Sequence, residues 1–141
     1  LLERKVDAQY ATLSLLLWHP HHRVFTITSA GTLPPLLFHN GEIIEPRVEG
    51  VPIGLLEEQE YDQVQIAGQQ NDLLLLYSDG VEDQLHNGDQ EYGRERVKKL
   101  LRSTGDQDPQ QVVNAIFKDL DAFRGATPLT DDQTVIALKV L

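Results

Sequence analysis

Two carboxylates stand where apolar strands meet turns. Leu73-Leu74-Leu75-Leu76-Tyr77 runs into Ser78-Asp79-Gly80, and Asp131-Asp132-Gln133-Thr134 runs into Val135-Ile136-Ala137-Leu138. A buried strand that ends or begins on an aspartate holds that carboxylate rigid at the rim of a sheet. Two such rims brought together offer oxygen ligands to a hard cation, because Mg²⁺ and Mn²⁺ select carboxylate and water oxygens. An aspartate in either place also serves as a turn-former or cap after a strand, and spacing by itself leaves both readings open. Asp83 lies four residues after Asp79, so a helical turn starting there puts it on the same side as a further candidate ligand. Asp132 reads equally as a ligand and as a solvent-facing carboxylate.

The histidines are weaker candidates. His19-Pro20-His21-His22 has the composition of a metal cluster, but neighbours in a short turn rarely converge and Pro20 accounts for the segment as a turn. His39 and His86 have no evident partner and are expected at the surface. The chain has no nucleophile elbow and no phosphate-cradling glycine loop of either standard type. Ala30-Gly31-Thr32-Leu33-Pro34-Pro35 reads as a tight, rigid turn.

The elements that must position these residues are mostly strands. Residues 9–18 and 23–28 form a predicted hairpin around the histidine turn. Leu36–His39 and Glu42–Ile44 flank Asn40-Gly41, the strongest short hairpin signal. Residues 46–56 carry Pro46, Gly50, Pro52 and Gly54 and form a loop, 61–66 alternates as a half-buried strand, and 72–78 is the most hydrophobic strand. Helical periodicity begins only after Asp79, with one helix over 91–103. A second opens on Asp108-Pro109-Gln110-Gln111, an N-cap, a proline at the first helical position and a capping-box glutamine, and stops near Gly125. A closing strand spans 133–141. Strands followed by helices and one returning strand predict an α+β fold, with helices packed on antiparallel sheet.

The 141 residues are one domain's worth of chain, without cysteine and therefore without disulfides, thiolate metal sites or a cysteine nucleophile. No apolar run is long enough to span a membrane and no signal-peptide pattern opens the chain, so it reads as soluble and cytoplasmic. A formal charge of −10 argues against nucleic acid as a partner. Methionine is absent even from position 1, and residues 1–6 read as the end of a helix begun upstream. The chain is therefore expected to be a piece of a larger protein.

In order, "TSAGTLPPLLF", "GVPIGLL", "DLLLLYSDGVED", "YGRERV" and "TDDQTVIALKV" resemble the C-terminal part of a PPM-type metal-dependent serine/threonine phosphatase domain, in its bacterial SpoIIE-like and RsbU-like branch. The match covers essentially the whole chain, so residues 1–141 are expected to form a single partial domain whose N-terminal portion is missing. The resemblance implies an αββα antiparallel β-sandwich flanked by helices, with a two-ion Mn²⁺ or Mg²⁺ centre between the sheets. It implies hydrolysis of phosphoserine or phosphothreonine on a small regulatory protein, of the anti-sigma-factor-antagonist type, by a metal-activated water. Asp79 and Asp131 match metal ligands of the family, Asp83 falls where some members carry a further one, and Gly80, Asp132 and Thr134 correspond to site-shaping positions. Thr32 stands where this branch usually has histidine, and no segment matches the aspartate–glycine pair that bridges both metals. The chain alone is therefore expected to be inactive, and a non-catalytic protein-binding module that keeps the fold is the alternative. Sheet edges left without neighbours are expected to pair with a second copy, as a homodimer.

Overall fold

Runs of β-branched and leucine residues, broken by asparagine–glycine and proline turns, set out the strands of the first half, and amphipathic helices fill most of the second. A computed structural model describes residues 10–141; the expected helix end at 1–6 lies outside the described residues. In chain order the elements are β1 (Leu13–His19), β2 (Val24–Ala30), β3 (Leu36–His39), β4 (Glu42–Ile44), β5 (Val64–Ala67), β6 (Leu73–Tyr77), α1 (Asp79–Glu82), β7 (Leu85–His86), β8 (Gln90–Glu91), α2 (Arg94–Thr104), α3 (Pro109–Arg124) and β9 (Val135–Lys139). The fold is α+β with antiparallel sheets. It divides into two compact units, one comprising residues up to Pro34 with Pro46–Gly68, the other Pro35–Glu45 with Gln69–Leu141.

The first unit holds a three-stranded sheet in the order β1-β2-β5. The expected hairpin forms, with Trp18 opposite Phe25 and their ring centroids 4.4 Å apart. Alternation along β2 buries Phe25, Ile27 and Ser29. Strand β1 is an edge, and its Leu13, Leu15 and Leu17 are each at least half exposed. The turn at Ala30–Pro35 is tied by its own hydroxyls: Ser29 Oγ lies 2.8 Å from Thr32 Oγ1 and accepts from Thr32 N.

The second unit carries the candidate carboxylates. Its sheet runs β4-β3-β6-β9, so the leucine-rich β6 is paired on both edges, and Leu73, Leu74 and Leu75 are fully buried. Each such leucine contributes roughly 1.5–3 kcal/mol relative to exposure. Helix α2 packs on β3 and β4, and α3 on β9 and α2. Helix α3 buries Val112, Ile116, Leu120 and Phe123, one stripe at helical spacing. The capping box reads as predicted: Asp108 Oδ1 accepts from Gln110 N at 2.9 Å, and Gln111 Oε1 accepts from Asp108 N at 3.2 Å.

Several expectations need correction, among them His86, which is no free surface residue: its ring packs on Phe123 with centroids 5.5 Å apart. The first helix starts at Arg94 rather than residue 91, because residues 85–91 form a small hairpin and Gly93, at φ 78°, interrupts the backbone before the helix. Strand β5 begins at Val64 rather than 61. His39 is not a free surface residue: its Nδ1 lies 2.8 Å from Oδ1 of the buried Asp72, whose Oδ2 accepts from Gln69 N at 2.7 Å. The pair fastens the β3–β4 turn to the turn before β6.

Candidate metal centre

Antiparallel pairing of β6 with β9 places Tyr77 opposite Val135. The residues that follow Tyr77 and precede Val135 therefore leave the sheet at the same end. A one-residue slip would turn every leucine of β6 to the other face, so burial of that strand fixes the register and with it this juxtaposition.

Beyond the sheet the two segments are laced together. Ser78 N donates to the Thr134 carbonyl at 3.0 Å, and Ser78 Oγ accepts from Thr134 N at 2.9 Å and donates to the Asp132 carbonyl at 3.1 Å. Gly80 is buried, and a Cβ there would meet the Asp132 carbonyl oxygen at less than contact distance. Only glycine permits so close an approach.

Asp79 opens the short helix α1, and its Oδ1 accepts from Gly80 N at 3.0 Å. Asp131 is held alike, its Oδ1 accepting from Asp132 N at 2.7 Å. In each aspartate one oxygen is oriented by a backbone N–H, and the other makes no hydrogen bond among the described residues. Both side chains are exposed at the rim. Asp83 is exposed too, and its carboxyl is held above the usual range, first by partial burial and then by the negative field of Asp79, Glu91, Glu82 and Asp131. The candidate ligands thus share one acidic field.

The donors fit a hard cation in chemistry but not in number. Among the described residues no group of three or more histidine, aspartate or glutamate side chains converges as a metal site. Asp79, Asp83 and Asp131 are brought to one rim, whereas Asp132 contributes its backbone carbonyl to the lacing and Thr134 its N–H and carbonyl. The histidine turn stays apart from any such group: His19 Nε2 lies 3.1 Å from Thr26 Oγ1, and His21 and His22 are exposed.

Behind the rim lie groups the sequence did not single out. Tyr77 OH donates to Glu82 Oε1 at 2.6 Å, and Arg94 Nη1 donates to both, at 2.6 Å and 3.0 Å. Arg94 Nε also bonds Glu45 at 2.7 Å, which ties α1 to α2 and to the residue that follows β4. Burial first, then the bond to Glu82, pushes the Tyr77 hydroxyl far above its ordinary range and keeps it protonated. Gln84, fully buried, bonds Gln133. Glutamines in loops read as surface residues, and the flanking Val81 and Leu85 were the one hint of burial at position 84.

A family model, Stage II sporulation protein E (SpoIIE), matches residues 1–141. The chain belongs to the SpoIIE family. Its relatives within and around that family include the Phosphoserine phosphatase RsbU of Bacillus subtilis (strain 168), 27% identical over 142 residues, covering 98% of this chain and 42% of RsbU. Among solved structures, the SiaA-PP2C domain of Pseudomonas aeruginosa superposes with a TM-score of 0.83 at 20% identity, covering 99% of this chain and 55% of that one. The phosphatase domain of SpoIIE from Bacillus subtilis, Mn presoaked, gives 0.73 at 19% identity, over 97% of this chain and 60% of that one. The SpoIIE-family chain therefore has the fold of PP2C-type phosphatase domains. It spans between 16% and 42% of the length of the curated relatives it matches.

Proposed function

We propose that this chain is part of a metal-dependent phosphoprotein phosphatase in a bacterial signalling regulator. In this reading Asp79 and Asp131 hold Mn²⁺ or Mg²⁺, Asp83 adds negative charge or a further ligand, and Gly80, Asp132 and Thr134 shape the rim. The observation that carries it is the paired presentation of Asp79 and Asp131, each with one oxygen pinned to the next backbone N–H and one left over. A divalent cation bound there supplies charge neutralisation at phosphoryl oxygens and activates water at neutral pH. The chain's own residues orient the carboxylates, hold the two segments at fixed separation and concentrate negative charge where the cation binds.

The substrate proposed is phosphoserine or phosphothreonine on a small regulatory protein, of the anti-sigma-factor-antagonist kind, acting in the cytoplasm. Membership of the SpoIIE family and likeness to a phosphoserine phosphatase support that class, and the net charge of −10 disfavours nucleic acid. No helix among the described residues is long and apolar enough to cross a membrane. With two well-placed carboxylates and no convergent third ligand, the chain by itself is inactive in this reading, and catalysis belongs to the complete polypeptide that carries it. Pairing of two copies through the apolar edge strand β1 is part of the same proposal.

The shortfall in ligands also favours a second reading, a protein-binding module that keeps the phosphatase fold without its chemistry. Hydrolysis of p-nitrophenyl phosphate and of a phosphoserine protein by the complete polypeptide, with and without Mn²⁺, separates the two. The phosphatase reading expects Mn²⁺-dependent turnover that Asp79→Asn and Asp131→Asn each largely abolish. Inert protein leaves the binding module, and full activity in both variants removes Asp79 and Asp131 from the chemistry.

A further inference from the structure

Basic residues are gathered on one element of an acidic chain. Helix α2 holds five of the chain's twelve lysines and arginines, Arg94, Arg96, Lys98, Lys99 and Arg102, against one of its twenty-two aspartates and glutamates, Glu95. Part of that charge is neutralised. Arg94 bonds Glu45 and Glu82, and Lys98 bonds Glu45 at 2.8 Å and Glu95 at 2.9 Å. Lys99 and Arg102 are exposed and make no hydrogen bond or ion pair among the described residues. With a net charge of −10, the chain repels an acidic polypeptide over most of its surface and attracts it at this face.

The same face borders a groove of about 580 Å³ between α2 and α3, lined by Glu95, Arg96, Lys99, Leu100, Ser103 and Asp119. Its α2 side runs from Glu95 to Ser103, about 12 Å along the helix. Both lining carboxylates are already engaged, Glu95 by Lys98 and Asp119 by Arg96 and Tyr92. Arg96 is fixed as well: it bonds Asp119 at 2.7 Å and 3.3 Å, and its Cζ lies 4.8 Å from the Phe123 ring centroid and 5.1 Å from that of Tyr92. Its rotamer freedom is lost before any partner arrives, which removes one cost of association. What the groove offers an incoming chain is the ammonium of Lys99 beside the half-buried, apolar Leu100.

We propose that this groove docks an acidic, amphipathic helical segment of a partner protein. The apolar face of that segment covers Leu100, and its carboxylates pair with Lys99 and Arg102. A groove two helical turns long suits recognition of an apolar stripe at helical spacing, and charges at its border set orientation and the rate of encounter. The assignment uses neither aspartate of the rim and stands apart from the phosphatase reading. A merely solvated basic face would show no preferred site for such a segment.

The probe is a fluorescein-labelled peptide of glutamate with leucines at helical spacing, titrated into the 141-residue chain and followed by anisotropy and amide NMR shifts. Shift changes should centre on residues 95–103 and 115–123. Lys99→Glu combined with Arg102→Glu should weaken binding at least roughly tenfold, while the signals of β6 and β9 keep their positions. Raising the ionic strength from about 0.1 M to about 1 M, which shortens the screening length from about 10 Å to about 3 Å, should weaken it too. A peptide with lysine in place of glutamate should not bind. Absence of binding, shift changes centred elsewhere, or undiminished affinity in the doubly changed chain overturns the proposal. Equal binding of a DNA oligonucleotide of the same charge overturns it as well, by assigning the face to any polyanion. Shifts at 95–103 that depend on protein concentration alone overturn it in favour of a second copy. Should the charge reversals disturb the fold, the shift map of the wild type decides the question.

Discussion

Ser78 and Thr134 hold each other by two hydrogen bonds, Ser78 N–H to the Thr134 carbonyl at 3.0 Å and Thr134 N–H to Ser78 Oγ at 2.9 Å. The serine hydroxyl also donates to the Asp132 carbonyl, so one small side chain closes the end of the β6–β9 ladder. Ser78→Ala strips a donor and an acceptor from that junction. A loss of about 1 kcal/mol is expected in urea unfolding; an unchanged midpoint would show that the hydroxyl is dispensable.

Gly80→Ala tests the close approach of α1 to the segment before β9. The added methyl must push the Asp132 carbonyl away, at a cost of roughly 1–3 kcal/mol. Amide chemical-shift changes should concentrate at 78–84 and 130–134. Wild-type stability and wild-type shifts together would mean that the backbone there has slack.

Asp119 sets a pH dependence. Its carboxylate accepts from Arg96 Nε at 2.7 Å and Nη2 at 3.3 Å, and from Tyr92 OH at 2.7 Å. The Arg96 hydrogen bond foremost, with that of Tyr92, holds its pKa below the ordinary 3.8 despite partial burial. A carboxylate with a depressed native pKa binds fewer protons folded than unfolded, so its contribution is complete above the ordinary carboxylate range and is lost as pH falls through the native value. The stability gap between wild type and Asp119→Asn should therefore be constant near neutrality and close progressively below about pH 4. Equal gaps at about pH 7 and about pH 3 would refute it.

Leu75 and Leu15 contrast a buried with an open leucine. Leu75 is fully buried between its partners Leu36 and Ala137, and Leu15 is 61% exposed on the edge strand β1. Leu75→Ala should cost about 2–5 kcal/mol, and Leu15→Ala should stay within about 0.5 kcal/mol. Comparable losses, measured by thermal or chemical denaturation, would show that the leucines of β1 are covered in solution.

Much of this architecture was written locally. Asn40-Gly41 gave the β3–β4 turn, with both residues at positive φ, and Asp108-Pro109-Gln110-Gln111 gave the start of α3. The unbroken leucines of β6 marked a central strand, and that strand pointed to Asp79. The equally telling Asn87-Gly88 went unread, because helical periodicity further on drew the first helix back across Glu91. Gln84, Gln133 and the His39–Asp72 pair were illegible for another reason. Their meaning lies in partners distant in sequence, 49 residues away for Gln84 and Gln133 and 33 for His39 and Asp72. Beyond the apolar Val81 and Leu85 nearby, no local pattern distinguishes a glutamine aimed at a buried amide from one aimed at water.

The lacing of Ser78 to Thr134 also has a history in time. The hydroxyl bond spans 56 residues, and α2 and α3 both fall inside the loop it closes. Hairpins and capped helices form from near neighbours, while closure of that loop carries an entropic cost they do not face. The two segments of the rim are thus joined only after closure of that loop, and a ribosome that has passed Asp79 but not yet Asp131 has made only one of them. Docking of β9 against β6 is the step that brings the segment bearing Asp131 to the end of the sheet where Asp79 already stands.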